Sequence, residues 1–537
     1  MPLVGYLIWV AEAAIASPQL NWALLLALWT LGALLLGFWL ARGGASHFLN
    51  CVERNASPIT LGMIIVAALC LISVSLLQAH FFAISANAED TAYYSQLLWN
   101  TLHGRFLSGN VQQERLYNPP VSSDLALHVS PILIVGLLPI YALFPHFLTL
   151  LIVRDVVLVA AAWPLFLIAR ERMNGTAGVA AAFLYLANPA VIAQGVEAFY
   201  LLQLAPLPFF FALRAFLRDE FGRFLSWMAL CIAMREDVAI TMAGFGLWAL
   251  VKRRQLKWLA VSLGLPLVWW GLATLLIQPA FGRSANSALD VALADGSQTP
   301  LGIYQVLLGK PSWVVDALRE GGLNYLYRLL RSVGFLSILG LEGLVAAPGL
   351  AATLFLGRVF YSGSDPNSRF ALLSSCALIG AAVLVVSKIG KRYAFDLRAF
   401  ALIMLVLLPS VSLLDGVKDA IQERLLMYTV RNDAVALREA IRRIPDSASV
   451  AAPNYALPAL GSRPKLFYVS YLFKYAKAQP DYVLLDHNFQ RVTANPELRE
   501  QYVKLVSSLS NSTEYQTTWR QGAYSLLRRK ETKWKNF

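Results

Sequence analysis

The chain has 537 residues, of which 57% are hydrophobic and 14% charged, with a formal net charge of +13. A soluble domain carries roughly 25% charged residues, so water is not the main solvent of this polypeptide. The basic excess falls in short clusters between apolar blocks, as the positive-inside bias of membrane proteins requires, and this points away from nucleic acid as a partner.

In chain order, residues 1–18 contain an apolar run without the positive n-region of a signal peptide, and are expected to form an uncleaved interfacial or spanning helix. Asn21 to Ala41 and Ile59 to Ala83 each reach the about 20 apolar residues needed to cross the hydrocarbon layer. Backbone groups in lipid must be satisfied within the segment, and runs of this length exclude alternating barrel strands. A helix bundle is therefore expected. Glu89-Asp90 comes next, heading an amphipathic helix in which Tyr94, Leu97, Leu98, Thr101 and Leu102 share a face. Pro139 and Pro145 divide the apolar block 129–169 unevenly, and its first piece, Pro131 to Phe144, has the length of an interfacial or re-entrant helix.

The clusters Arg170/Arg172, Arg214/Arg218/Arg223, Lys252/Arg253/Arg254/Lys257 and Lys388/Lys391/Arg392/Arg398 are the cytoplasmic anchors. Walking between them turns the chain outward at Gly195 to Tyr200 and at Arg235-Glu236-Asp237, and keeps 84–130 and 279–322 external. Leu326 to Phe360 must then be two helices broken near Gly340 and Gly343, and a last span from Phe400 to Leu414 delivers the tail outside. The expected total is about ten to twelve spans, some of them half-span pairs.

Past Leu414 charge becomes frequent. Asn432 to Arg443 has helical periodicity, Ala448 to Ala452 and Tyr482 to Leu485 read as strands, and Glu514 to Arg520 with Ala523 to Arg528 reads as a hairpin around Gln521-Gly522. The fold class is thus an all-α polytopic membrane bundle with a small C-terminal α/β soluble domain. The expected divisions are 1–57, N-terminal helices and a cytoplasmic linker; 58–415, the transmembrane domain with external loop 84–130; and 416–537, the soluble domain. Cys51, Cys70, Cys231 and Cys376 have no metal-ligand spacing and read as small core residues.

Under this topology Glu89, Asp90, His128, Glu197, Glu236 and Asp237 all face one side. A carboxylate at Glu89 or Asp90 suits a general base toward an acceptor hydroxyl or a metal ligand; equally, acidic residues cap helix N-termini. Arg235-Glu236-Asp237 interrupts an apolar stretch, which marks either function or a self-neutralising turn. Glu197 occupies the preceding outward turn. His128, before Ser130-Pro131, suits donation to a phosphate or a carboxylate, or lies simply at an ordinary helix entry. Arg105 and Arg115 suit pairing with a lipid phosphate or anchoring at the headgroups.

These residues carry a resemblance. Gln96-Leu97-Leu98-Trp99-Asn100-Thr101-Leu102-His103-Gly104-Arg105-Phe106, His128-Val129-Ser130-Pro131, Leu138-Pro139-Ile140-Tyr141-Ala142-Leu143-Phe144-Pro145 and Arg235-Glu236-Asp237-Val238-Ala239 resemble a bacterial family of membrane proteins, domain of unknown function 2079. Ile444-Pro445-Asp446, Asp481 to Asp486 and Leu526 to Arg529 look like that family's C-terminal pattern. The family is distantly similar to GT-C glycosyltransferases, integral membrane enzymes that take a sugar from a polyprenyl-phosphate carrier. Their first external loop carries an acidic motif in the position of Glu89-Asp90. Two departures bear on substrate. A Phe-Asp-Phe-His-Pro-like turn is here Glu197-Ala198-Phe199-Tyr200-Leu201, and a His-Tyr is missing around Ser368-Arg369-Phe370.

The resemblance implies an inverting transferase in a bacterial cytoplasmic membrane, moving a hexose or pentose from a polyprenyl-phosphate donor to an envelope glycan, lipid or protein acceptor. Asp90 or Glu89 would be the base, with Arg105, Arg235 and His128 facing the phosphate. Glu197 would line the same side, and Glu236 and Asp237 would position the basic groups or bind a divalent metal. No cofactor is otherwise expected. A transporter or lipid flippase, and a non-catalytic envelope-assembly protein, are the alternatives.

Overall fold

The computed structural model describes residues 46–84, 87–111, 123–252, 255–282, 318–359, 365–393, 396–407, 433–474, 479–492 and 496–530. The calls made on residues 1–18, Asn21 to Ala41 and Arg115 lie outside these. Among the described residues, Ala56–Phe81, Phe147–Arg172, Leu256–Ala280 and Arg369–Arg392 are each long and apolar enough to cross a bilayer. Gly175–Leu186 and Pro189–Val196 together make one more, bent by 51° where Asn188-Pro189 breaks the ladder. Shorter apolar helices fill the bundle: Leu133–Leu143, Pro206–Leu217, Phe221–Ile232, Val238–Val251 and Leu397–Val406. A twelve-residue helix such as Phe221–Ile232 rises only about 18 Å, short of the roughly 30 Å hydrocarbon layer, so several apolar blocks enter the bundle as half-spans.

Arg369–Arg392 is buried along nearly its whole length and forms the axis of the bundle. Its apolar residues surround the helix on every side, the pattern of a helix with no solvent face. Ala56–Phe81, by contrast, exposes Leu61, Ile65, Val66, Leu69, Leu76 and Leu77, a face left for lipid. The break expected near Gly340 and Gly343 falls between Leu323–Arg331 and Ala347–Val359, with short 3-10 turns at Leu336–Leu339 and Leu341–Val345.

The axial helix shows how charge is sorted. Its N-terminal Arg369 lies beside Asp90, while near its other end Lys388 Nζ meets Glu342 Oε1 at 2.5 Å. The basic clusters gather at that second end, where Arg172 Nη2 donates to Leu217 O at 2.7 Å, Arg214 pairs with Glu171 at 2.5 Å and Arg398 Nη1 donates to Asn50 Oδ1 at 2.6 Å. Acidic candidates and basic anchors thus occupy opposite ends of the bundle.

After the helix Ala434–Arg442 the chain builds one five-stranded sheet in the order β2-β1-β3-β5-β4, from β1 Val450–Ala452, β2 Leu466–Tyr468, β3 Tyr482–Asp486, β4 Tyr515–Gln521 and β5 Tyr524–Arg529. β1 pairs in parallel with β2 and β3, and the hairpin adds antiparallel on β3. Gly522, at φ 57°, makes the hairpin turn. The expected helix, strands and hairpin are all present. β2 was not foreseen, because three residues are too few to show a period; the fifteen-residue helix Pro496–Ser510 was also passed over.

The segment 84–130, expected as an external loop, carries the expected helix, whose burial was not foreseen. Its helix Ala88–Leu102 is buried on both faces, not laid on a surface. One face packs on the bundle through Tyr94, Leu97 and Leu98. The soluble domain covers the other: Asn454 Oδ1 accepts from Glu89 N–H at 2.7 Å, and Gln96 Nε2 and Asn100 Nδ2 reach Pro464 O at 3.2 and 3.4 Å. Gly461 comes so close that a Cβ there would stand 3.1 Å from Ser95 Cβ.

Candidate functional site

The N-terminus of Ala88–Leu102 sets Glu89 and Asp90 inside the protein, 7% and 6% exposed. Helix N-termini favour carboxylates through the macrodipole, which lets two acids sit here with little water. Their surroundings differ. The Glu89 backbone N–H is held by Asn454 of the soluble domain. Asp90 turns toward the bundle, where the Tyr200 hydroxyl donates to Oδ2 and Arg369 Nη1 stands 3.9 Å from the same oxygen.

Arg369 lies over the Tyr200 ring, its guanidinium carbon 3.7 Å from the centroid, and 4.9 Å from that of Phe370. Arg235 approaches the same Phe370 ring at 5.6 Å, so one aromatic side chain sits near two guanidinium groups. Asp237 grips Arg235 bidentately, through Nε at 2.8 Å and through Nη2. Its guanidinium is held charged: burial opposes the charge, but the paired Asp237 outweighs burial and raises the pKa. Tyr94 lies among these groups, edge-on to Phe199 at 5.3 Å and to Tyr200 at 6.4 Å. Burial pushes its phenol up to about 12, with Arg235, Asp90, Arg369 and Glu236 all acting on it.

Glu236 faces the other way along the turn. Its oxygens accept from His128 Nδ1 at 3.1 Å, from Val129 N–H at 2.9 Å and from Gln278 Nε2 at 3.4 Å. Burial alone would raise this carboxyl, but His128, Arg235 and the Val129 N–H outweigh it and bring it down to about 2. Asp124, 1% exposed on the loop before His128, goes the opposite way: burial and then the Glu236 charge push it well above the ordinary value.

The expected residues therefore divide. Glu89, Asp90, Arg235, Glu236, Asp237 and His128 form one connected region, and Glu197 joins it by accepting from Asn87 Nδ2 at 3.4 Å and from Ala198 N–H at 3.2 Å. Arg105 does not join. It is at the far end of the helix, its Nε on Asn100 Oδ1 at 3.0 Å and its guanidinium 5.4 Å over Trp99. The twelve helical steps from Asp90 to Leu102 alone span roughly 18 Å. Asp237 bonds Arg235, and Glu236 bonds His128. Among the described residues no three His, Cys, Asp or Glu converge as a metal site.

Sequence reasoning missed Arg369, Tyr200, Tyr94 and Asn454. Arg369 had a signal: a cation opening a long apolar helix opposes the helix dipole, a local conflict that needs a partner. Asn454 had none, since only the folded domain brings it to Glu89.

The family model described as a predicted membrane protein (DUF2079) matches residues 80–523. The chain belongs to this family. The family thus spans both the bundle and the sheet domain, and the segments Trp99 to Phe106 and Arg235 to Val238 lie within the match. Comparison with curated protein sequences gives no match. Among solved structures, ArnT from Cupriavidus metallidurans bound to undecaprenyl phosphate is 13% identical, with a TM-score of 0.45 over 87% of this chain and 97% of that one. The oligosaccharyltransferase of Archaeoglobus fulgidus in complex with Zn and sulfate is 15% identical, with a TM-score of 0.43 over 81% and 70%. The archaeal oligosaccharyltransferase AglB from the same organism, with an inhibitory peptide and a dolichol-phosphate, is 14% identical, with a TM-score of 0.43 over 89% and 74%.

Proposed function

We propose that this family member is an inverting glycosyltransferase that moves a sugar from a polyprenyl-phosphate carrier to an envelope acceptor, on the face of a bacterial cytoplasmic membrane away from the cytoplasm. The observation that carries the reading is the Asp90–Arg369 pair, a buried carboxylate 3.9 Å from a guanidinium at the end of a membrane bundle. The gathering of basic clusters at the opposite end supports the sidedness.

In the reaction, the acceptor hydroxyl gives its proton to the Asp90 carboxylate as its oxygen bonds the anomeric carbon. The bond from that carbon to the phosphate oxygen breaks, and polyprenyl phosphate leaves with the electron pair. Arg369 faces the growing charge, and Arg235 stands behind Phe370 as a second cation. Glu89 is the lesser candidate for base, because its backbone anchors the soluble domain while Asp90 faces Arg369. Arg105 has no part in the chemistry and holds the far end of the helix.

The test is transfer of labelled sugar from a defined polyprenyl-phosphate donor by the purified chain. Asp90→Asn should reduce transfer by about 10²- to 10⁴-fold, the usual loss for a general base, with Glu89→Gln affected less. Unchanged transfer by both variants, or movement of intact donor across the bilayer without transfer, would remove this reading.

A further inference from the structure

The helix Pro189–Val196 stops inside the bundle, where its last carbonyls lack both water and a next helical turn. Side chains from two neighbouring spans meet them. Gln78 Nε2 donates to Val196 O at 2.7 Å, and Arg154 Nη1 donates to Glu197 O. Arg154 and Asp155 are both fully buried within the span Phe147–Arg172. Arg154 bonds Asp155 Oδ1 through Nε at 2.9 Å and Nη2 at 2.7 Å, and Nη2 also reaches Ser75 Oγ at 2.7 Å. Ser75 Oγ closes the ring by donating to Asp155 Oδ2 at 2.7 Å.

An ion pair in hydrocarbon is costly, and apolar residues of similar volume often pack at least as stably. What they would not supply is a permanent donor for the Glu197 carbonyl. That carbonyl opens the turn that delivers Tyr200: Phe199 N–H donates to Thr91 Oγ1 at 2.9 Å, Tyr200 N–H to Gln203 Oε1 at 2.8 Å, and the Tyr200 hydroxyl to Asp90. The clamp and the phenol are three residues apart, at most about 11 Å of chain.

We propose that Arg154, held by Ser75 and Asp155, is a positioning residue that fixes the Glu197–Tyr200 turn from within the membrane and so sets the Tyr200 hydroxyl on Asp90. Its catalytic consequence rests on the reading of Asp90 as a base; the placement of the turn does not.

The test uses the full chain in lipid nanodiscs. Combining Arg154→Met with Asp155→Leu removes both charges together, so neither is left unpaired. Amide hydrogen exchange across residues 197–204 should accelerate tenfold or more, while exchange in Arg369–Arg392 stays as it was. Arg154→Gln with Asp155→Asn keeps hydrogen-bonding groups without charge and should restore most of the protection. In the transfer assay the Met/Leu chain should lose at least tenfold in kcat with the donor KM within threefold, and the Gln/Asn chain should recover. Unchanged protection at 197–204 in the Met/Leu chain would overturn the proposal. Should that chain fail to fold, Ser75→Ala decides: two- to threefold faster exchange at 197–204 supports the clamp, and none overturns it. Faster exchange in a chain whose wild type transfers no sugar keeps the clamp and removes the reading of Asp90.

Discussion

Arg369 Nη1 lies 3.9 Å from Asp90 Oδ2, and the same guanidinium covers the ring of Tyr200, whose hydroxyl donates to that oxygen. Three residues from three separate parts of the chain thus define one charged point at the end of a membrane bundle. A planar guanidinium can stack and pair at once, which an ammonium does less well. Arg369→Lys should therefore retain part of the transfer activity, and Arg369→Ala should lose about 10²- to 10³-fold in kcat, the range for removing one preorganised donor. Steady-state kinetics with a polyprenyl-phosphate donor checks both, and equal activity in the two variants would assign the phosphate to another group.

The Glu236 carboxylate, with His128, Val129 N–H and Gln278 around it, is a buried acid whose folded-state pKa is depressed to about 2. The unfolded value is about 4.3. A depressed acid contributes stability that is full above the unfolded value and is lost as pH falls through the folded one. Wild type should therefore lose its stability advantage over Glu236→Gln progressively as pH drops from about 4.3 toward 2. At neutral pH Glu236→Ala should cost about 3 kcal/mol, the scale for breaking a buried ion pair. Thermal unfolding in detergent across that pH range reads both effects.

How much of this was legible in the sequence depends on the distance over which the signal acts. The apolar runs, the basic anchors and the hairpin at Gln521-Gly522 were readable because helical period, lipid burial and turn chemistry are local. Loop-charge accounting also placed Asp90, His128 and Arg235-Glu236-Asp237 at one end, where the structure brings them together. Arg105, read as a partner for a lipid phosphate or a headgroup anchor, stands on Asn100 and Trp99 at the far end of the helix, contacts that its place in the sequence does not give. Arg154-Asp155, two adjacent charges in an apolar run, was passed over in the sequence, and its partners Ser75 and Glu197 O are tertiary and could not be read. Burial of the polar face of Ala88–Leu102 was likewise illegible, since the covering residues begin at Asn454.

That covering can be trapped. A Cβ on Gly461 would stand 3.1 Å from Ser95 Cβ, slightly below the about 3.5–4.5 Å span of disulfides, so a small outward shift permits a bond. Ser95→Cys with Gly461→Cys should cross-link under mild oxidation, read as linked peptides by mass spectrometry. A control pairing Ser95→Cys with Ser508→Cys should not. Failure of the first pair would mean that the sheet domain does not rest on the acidic helix.

Sidedness has a built-in reporter. Cys51 is exposed and lies next to Asn50, which bonds Arg398 at the basic end. In intact cells Cys51 should resist a membrane-impermeant thiol reagent until the membrane is opened. A cysteine at the exposed position Ser508 should react at once, and the reverse order would invert the assigned topology.

The most direct measurement is an experimental structure of the chain with polyprenyl phosphate bound. The account predicts the phosphate within hydrogen-bonding distance of Arg369 and on the Asp90 side of Phe370, with the prenyl tail leaving toward lipid. Phosphate density seated at Arg105, or among the basic clusters at the opposite end of the bundle, would contradict it.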